Sequence, residues 1–321
     1  MPAQLYETSG NPLPPHATVG KFRARDGKML RYARFAAEGR PLRGTIVLLP
    51  GRSESIEKYF ETISDLSKRG FGVAIFDLRG QGGSDRLARN PRLGFVTDFQ
   101  DYVADIEPFF QDVVLPDCRG PYFVLGHSTG ALVALLAAPA LSNRVQRMML
   151  LSPLFGLAPP ASLSPRNTCR LCRLLHATGL GQLTVKRPDT ATFDGNLLTS
   201  DAQRYDRNQT IFSARPELGI GGPTATWVRS VFHALDQAQS SQFKARVTVP
   251  ILVVAASADR VVDTGATERY VAGLRTASLL TIQGARHELL QERDIFREQL
   301  LAAFDAFIPG SAPDPFSPAA I

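Results

Sequence analysis

Ser128 stands in the run Phe123 to Ala137, FVLGHSTGALVALLA, two residues after Gly126 and two before Gly130. A serine hydroxyl is a weak nucleophile until a neighbouring base takes its proton, so the chain must supply partners if Ser128 is to do chemistry. Its surroundings supply the geometry. Tyr122 to Leu125 is short, apolar and β-prone, whereas Ala131 to Ala138 is rich in Ala and Leu and stops at Pro139. That pattern reads as strand, sharp turn and helix. The two glycines remove side chains where strand and helix cross closely, and the hydroxyl is held out from a strained turn. In a loop the same Gly-x-Ser-x-Gly would only be a flexible connection, so the flanking elements carry the inference.

Five histidines compete for the role of base. His127 is adjacent to the serine and leaves the turn in another direction, His16 lies in an N-terminal arm, and His176 and His233 lie in a middle segment. His287, in TIQGARHELL, follows the last predicted strand, and loops at the carboxyl ends of parallel strands are where such sheets place chemistry. His287 is the expected base. The base needs a carboxylate to fix its tautomer. Asp259, in VVAASADRVVD, stands just past a strand, whereas Asp263 precedes TGATERYVAG as a helix N-cap. Ser128, Asp259 and His287 then follow the chain order Ser, Asp, His of a nucleophile-elbow hydrolase. Acyl transfer also needs donors for an oxyanion. The backbone N–H groups of Thr129 and of Arg52, in the loop Pro50-Gly51-Arg52-Ser53-Glu54, are the expected pair. Whether the Arg52 side chain is merely solvated stays open.

These residues need a scaffold, and strands alternate with helices along the chain. Strands are expected at Val19 to Arg25, Met29 to Phe35, Thr45 to Leu49, Gly72 to Phe76, Tyr122 to Leu125, Arg147 to Leu151, Ile251 to Ala255 and Ser278 to Ile282. Helices are expected at Ile56 to Lys68, Phe99 to Val113, Thr264 to Leu274 and Arg293 to Phe307. Such alternation implies an α/β fold, a mostly parallel sheet covered by helices on both faces. The rhythm breaks after residue 152 and returns at VTVPILVVAASADR. The expected organisation is a core formed by residues 1–152 and 247–309, a helical cap inserted at 153–246, and a disordered tail at 310–321. Trp227, the only tryptophan, lies in the insertion, and at helical spacing it faces solvent, the cap core or an acyl channel. It is the candidate substrate-binding residue of the cap. Arg166, Arg170 and Arg173 recur at helical spacing in RNTCRLCRLL, with Leu171, Leu174 and Leu175 available for the opposite side, which gives a basic amphipathic segment.

Composition narrows the function. The chain has 321 residues, 44% hydrophobic and 21% charged, enough to bury a sizeable core. A net charge of +6 and a pI near 9.4 favour anionic surfaces, yet no dense Lys/Arg run points to nucleic acid. No apolar run approaches the roughly 20 residues that span a bilayer, and the N-terminus lacks the pattern of a signal peptide. Three cysteines suit a reducing compartment, and Cys169-x-x-Cys172 has no second pair at zinc spacing. No metal and no cofactor is called for. The expected location is cytoplasmic, peripheral to the inner face of the membrane.

PGRSESIEKY, FDLRGQGGSDR, GHSTGA, ASADRVVD and GARHELLQE together resemble the monoacylglycerol lipase and lysophospholipase branch of the α/β-hydrolases. The stretch RYDRNQTIFSARPELGIGGPTATWVR resembles the cap of bacterial lysophospholipases of the PldB type. The resemblance covers residues 20 to 307. It implies Ser128, Asp259 and His287 as triad, Arg52 and Thr129 as oxyanion donors, and hydrolysis of a lipid-like ester. Pro50 departs from the histidine that monoacylglycerol lipases carry there, which favours the lysophospholipases. An aminopeptidase-like or small-ester hydrolase and a catalytically silent lipid-binding protein are the alternatives. LRGQGGSD lacks the pattern of a phosphate-cradling loop and reads as a turn of the core.

Overall fold

The structure, a computed structural model, describes residues 3–157, 164–185 and 192–308. Its strands are β1 (Ala17–Arg23), β2 (Met29–Phe35), β3 (Gly44–Leu49), β4 (Phe71–Phe76), β5 (Tyr122–His127), β6 (Val145–Leu151), β7 (Ile251–Ala256) and β8 (Ala277–Ile282). They form one sheet in the order β1-β2-β4-β3-β5-β6-β7-β8. β2 runs antiparallel to both β1 and β4, and every other pairing is parallel. β3 is buried along its whole length, as a central strand covered on both faces must be. Its alternating side chains feed two cores: Val47 and Leu49 on one face, Ile46 and Leu48 on the other.

A 3₁₀ turn, Ile56–Tyr59, leads into α1 (Phe60–Lys68). The single helix expected from Phe99 to Val113 is instead α2 (Gln100–Ala104), α3 (Ile106–Phe109), a π turn at Phe110–Val114 and α4 (Leu115–Asp117). Pro108 lies within this run and has no N–H for the preceding turn, so the ladder is interrupted there. α5 (Thr129–Leu141) follows β5. It continues through Pro139, where a stop was expected, and ends two residues later at Leu141. From Thr129 to Ala138 it is buried on every side.

Between β6 and β7 the described residues form α6 (Pro165–Ala177), α7 (Ala202–Ala214), α8 (Ala225–Gln239) and α9 (Ser241–Arg246), and they add no strand to the sheet. Trp227, Val228, Val231 and Ala234 of α8 join the same apolar core as α5. α6 turns Thr168 and Cys172 inward, while Leu171 and Leu174 are exposed beside Arg166, Arg170 and Arg173. The expected separation of leucines from arginines holds only for Leu175, which is half-buried and packs on the core. The packed stripe runs through positions 168, 172 and 175 and leaves Leu171 and Leu174 outside. α10 (Thr264–Ala272) and α11 (Asp294–Phe307) complete the chain described. The tail for which disorder was expected, and part of the loop entering the insertion, lie outside the described residues.

Candidate active site

β5 ends in the middle of the sheet, and the chain turns at once into α5. Ser128, at the turn, adopts φ 50 and ψ −111, a conformation that a side-chain-bearing residue holds only under constraint. The constraints are visible. Its N–H donates to the Leu151 carbonyl (2.9 Å), and its own carbonyl accepts from Leu132 (3.2 Å) and Leu154 (3.2 Å). A Cβ on Gly126 would stand 2.8 Å from Ala131 Cα, and one on Gly130 would stand 2.2 Å from the Leu49 carbonyl oxygen. Both flanking positions require glycine for the close crossing read from the sequence.

His287 follows β8 and reaches the same point. Its Nε2 lies 3.0 Å from Ser128 Oγ, and its Nδ1 lies 2.7 Å from Asp259 Oδ2. Asp259 follows β7 and is nearly inaccessible; its other oxygen accepts from the amides of Val261 (2.7 Å) and Val262 (3.0 Å). Burial pushes the Asp259 carboxyl up, but the His287 hydrogen bond and charge and the two amides outweigh it and hold the group below its ordinary range. An ionised Asp259 accepts from Nδ1–H, which leaves Nε2 free to accept the serine proton. Asp263 lies apart from this series and accepts from Ala266 N–H (3.0 Å) as the N-cap of α10.

The loop Pro50 to Glu54 lies alongside. Gly51 N–H donates to the Glu54 carboxylate, and Gln81 Nε2 donates to the carbonyls of Gly51 (2.7 Å) and Glu54 (3.0 Å). Ser53 N–H returns a bond to Gln81 Oε1 at 3.2 Å. The turn in LRGQGGSD is thus the brace of this loop. Thr129 is the first residue of α5, where backbone N–H groups have no intrahelical partner. The Arg52 side chain reaches the insertion: it donates to the Gly221 carbonyl, and its guanidinium carbon lies 5.3 Å from the centre of the Trp227 ring. Trp227 is buried, with Nε1 3.3 Å from Tyr102 Oη.

One group of site residues escaped the sequence reading. Glu54 also accepts from Tyr59 Oη and from Lys58 Nζ (2.7 Å), and lies 3.1 Å from His127 Nδ1. Lys58 Nζ reaches Glu288 at 2.6 Å, and His127 Nε2 lies 3.3 Å from the carbonyl of His287. This buried network joins the Pro50–Glu54 loop to the His287 loop. Burial pushes the Glu54 carboxyl up, but Lys58 and His127 hold it well below the usual carboxylate range. Glu54 and Lys58 at i, i+4 were the only local signal, and that spacing also describes an ordinary solvated pair. Among the described residues, no group of His, Cys, Asp and Glu side chains is arranged to hold a metal ion.

The family described as "Serine aminopeptidase, S33" matches residues 40–294, which span both halves of the sheet and the insertion. The chain belongs to this family. Lysophospholipase L2 of Escherichia coli is 34% identical over 302 residues, covering 89% of this chain and 86% of that relative. Monoglyceride lipase of Rattus norvegicus is 28% identical over 238 residues, covering 74% of this chain and 72% of that relative. The S33 chain thus sits in the lysophospholipase and monoglyceride lipase branch of the α/β-hydrolases. Its fold is shared with a soluble variant of monoglyceride lipase from Saccharomyces cerevisiae, with TM-score 0.72 at 20% identity over 92% of this chain and 96% of that one. A carboxyl esterase from Bacillus coagulans gives TM-score 0.73 at 19% identity, covering 92% and 98%.

Proposed function

We propose that this serine hydrolase cleaves the carboxylic ester of a lysophospholipid or monoacylglycerol through an acyl-enzyme. The observation that carries the reading is the hydrogen-bonded series Ser128–His287–Asp259 at 3.0 and 2.7 Å. Ser128 Oγ attacks the ester carbonyl as its proton passes to His287 Nε2, and Asp259 stabilises the imidazolium. Because Gly51 N–H is already engaged by Glu54, the next amide, that of Arg52, joins Thr129 N–H in holding the oxyanion. The Nε2 proton then leaves with the alcohol, and a water molecule, deprotonated by the same nitrogen, releases the fatty acid. A panel of lysophospholipids, monoacylglycerols, short esters and aminoacyl amides, assayed side by side, tests the substrate class. Turnover confined to aminoacyl amides would replace the lipid reading with the peptidase reading that the family description suggests.

In this reading the 153–246 insertion is a cap over the site, and its outer face meets the lipid surface. The exposed arginines and leucines of α6 favour such contact, since each cation near an anionic surface is worth about 1 kcal/mol. The chain is held there peripherally, and no helix among the described residues is long and apolar enough to cross a membrane. Replacing Arg166, Arg170 and Arg173 together by glutamine is expected to weaken co-sedimentation with anionic vesicles at low salt, with hydrolysis of a short soluble ester retained. Unchanged sedimentation would remove α6 from the argument.

A further inference from the structure

Arg52 is a half-buried cation whose Nε is shut off from solvent, and among the described residues no carboxylate meets it. Arg31 lies 2.6 Å from Asp77 and 2.7 Å from Glu57, and Arg79 lies 2.5 Å from Asp105. Each of those side chains has its charge met by a carboxylate, as a cation removed from water requires. Among the described residues, Arg52 has neutral partners only. Nη2 donates to the Gly221 carbonyl, Nη1 lies 3.3 Å from Ser53 Oγ, and the ring of Trp227 lies beneath the guanidinium. Nε is buried and has no partner among the described residues. Two of the five N–H bonds that a guanidinium can offer are thus accounted for, both to uncharged oxygens.

The location gives this imbalance a meaning. The guanidinium belongs to the residue whose amide serves the oxyanion in the proposed mechanism. It is held between that loop and residues 220–227 of the insertion. A monoacylglycerol offers only hydroxyls on the alcohol side of its ester. A lysophospholipid offers, across the glycerol backbone, a phosphodiester with two charge-bearing oxygens. A planar fork of N–H donors matches such a group, and the water-poor setting strengthens the bond. Burial without a countercharge pulls the Arg52 pKa down to about 10, which still leaves it cationic at neutral pH.

We infer that the Arg52 side chain is the phosphate-recognition subsite of this enzyme, and that it selects lysophospholipids over neutral monoacylglycerols. The inference rests on the lipid-ester reading above and narrows it. 1-O-Dodecylglycero-3-phosphocholine and 1-O-dodecylglycerol share the chain and the glycerol, lack a cleavable carboxylic ester and differ in the phosphocholine. Binding of each, as monomers, is measured by calorimetry on protein carrying Ser128→Ala. With Arg52 intact, the phosphocholine lipid is expected to bind about tenfold more tightly than the neutral glycerol ether, as charge-assisted bonds to one phosphate would give. Arg52→Gln is expected to abolish that difference and Arg52→Lys to keep most of it. In the parent enzyme, Arg52→Gln should lower kcat/KM for lysophosphatidylcholine relative to monoacylglycerol by a similar factor. Equal affinities with Arg52 intact would overturn the inference whether or not the variants fold, as would an Arg52→Gln protein that weakens both lipids alike. Displacement of the phosphocholine lipid by millimolar inorganic phosphate would assign the site to free phosphate and overturn headgroup selection. Failure of the parent reading looks different: neither long-chain ester would be hydrolysed by the unmodified enzyme, while the binding preference stood.

Discussion

Asp259 and Asp263 are four residues apart, and their environments assign them different work. Asp259 accepts from His287 and two amides, whereas Asp263 caps α10. Asp259→Asn should therefore lower kcat by about 10³-fold or more, because an amide no longer fixes the imidazole tautomer. Asp263→Asn should leave turnover near normal and stability within a few tenths of a kcal/mol, since Asn caps a helix about as well as Asp. Steady-state kinetics and urea unfolding of the two variants check both statements, and the reverse ranking would move the acid to Asp263. Glu54 adds a second expectation for a side chain that need not touch substrate. Glu54→Gln keeps the shape but gives up the carboxylate that orders Gly51, Tyr59, Lys58 and His127. A loss of about 2 kcal/mol or more of stability is expected from breaking these buried charged bonds, with kcat falling and KM little changed. Unaltered kcat would show that the Pro50–Glu54 loop does not depend on this brace.

At the scale of elements, the sequence is legible where its signals are local. The turn at Ser128 declares itself through Gly126 and Gly130, because both Cβ positions are occupied by neighbouring backbone. The strands appear within a residue or two of their observed ends, since buried parallel strands are short apolar runs between turn residues. The failures have equally physical causes. Pro108, which cannot donate to the Ala104 carbonyl, divides the helical region after residue 99, whereas Pro139 does not end α5, which runs on to Leu141. The Glu54 network was hidden because Lys58 meets Glu288 across 230 residues and His127 meets the His287 carbonyl across 160. Contacts of that separation exist only once the sheet has ordered β3, β5 and β8. The exposure of Leu171 and Leu174 was likewise invisible, because helical spacing defines a stripe but not which stripe packs.

For the whole molecule, the question is what fastens the insertion to the sheet. Glu61 of α1 receives Arg204 (2.6 Å) and Arg207 (2.7 Å) from α7, with Arg297 of α11 at 3.9 Å. Glu288 N–H donates to the Leu198 carbonyl at 2.8 Å, so the same segment also rests on the loop that carries His287. Burial pushes the Glu61 carboxyl up, but Arg204, Arg297 and Arg207 bring it down to about 2 from an ordinary 4.5. A depressed carboxylate contributes stability that is complete above its unfolded value and disappears as pH falls through its folded value. The Glu61 contribution should therefore be lost between about pH 4.5 and pH 2. Glu61→Gln is expected to be less stable at neutral pH by about 2 kcal/mol and to lose less than the parent over that acid window. Urea unfolding across a pH series measures both. Parallel pH profiles for the two proteins would mean that Glu61 does not fasten the insertion.

The central claim, that Ser128 is a nucleophile activated by His287, is tested most directly by covalent capture. The protein is incubated with a fluorophosphonate probe at neutral pH, and the modified peptide is located by mass spectrometry. The account predicts a single adduct on Ser128, none in Ser128→Ala, and capture slowed by several orders of magnitude in His287→Ala with the fold retained. A protein that is not labelled, or that is labelled at full rate without His287, would contradict it.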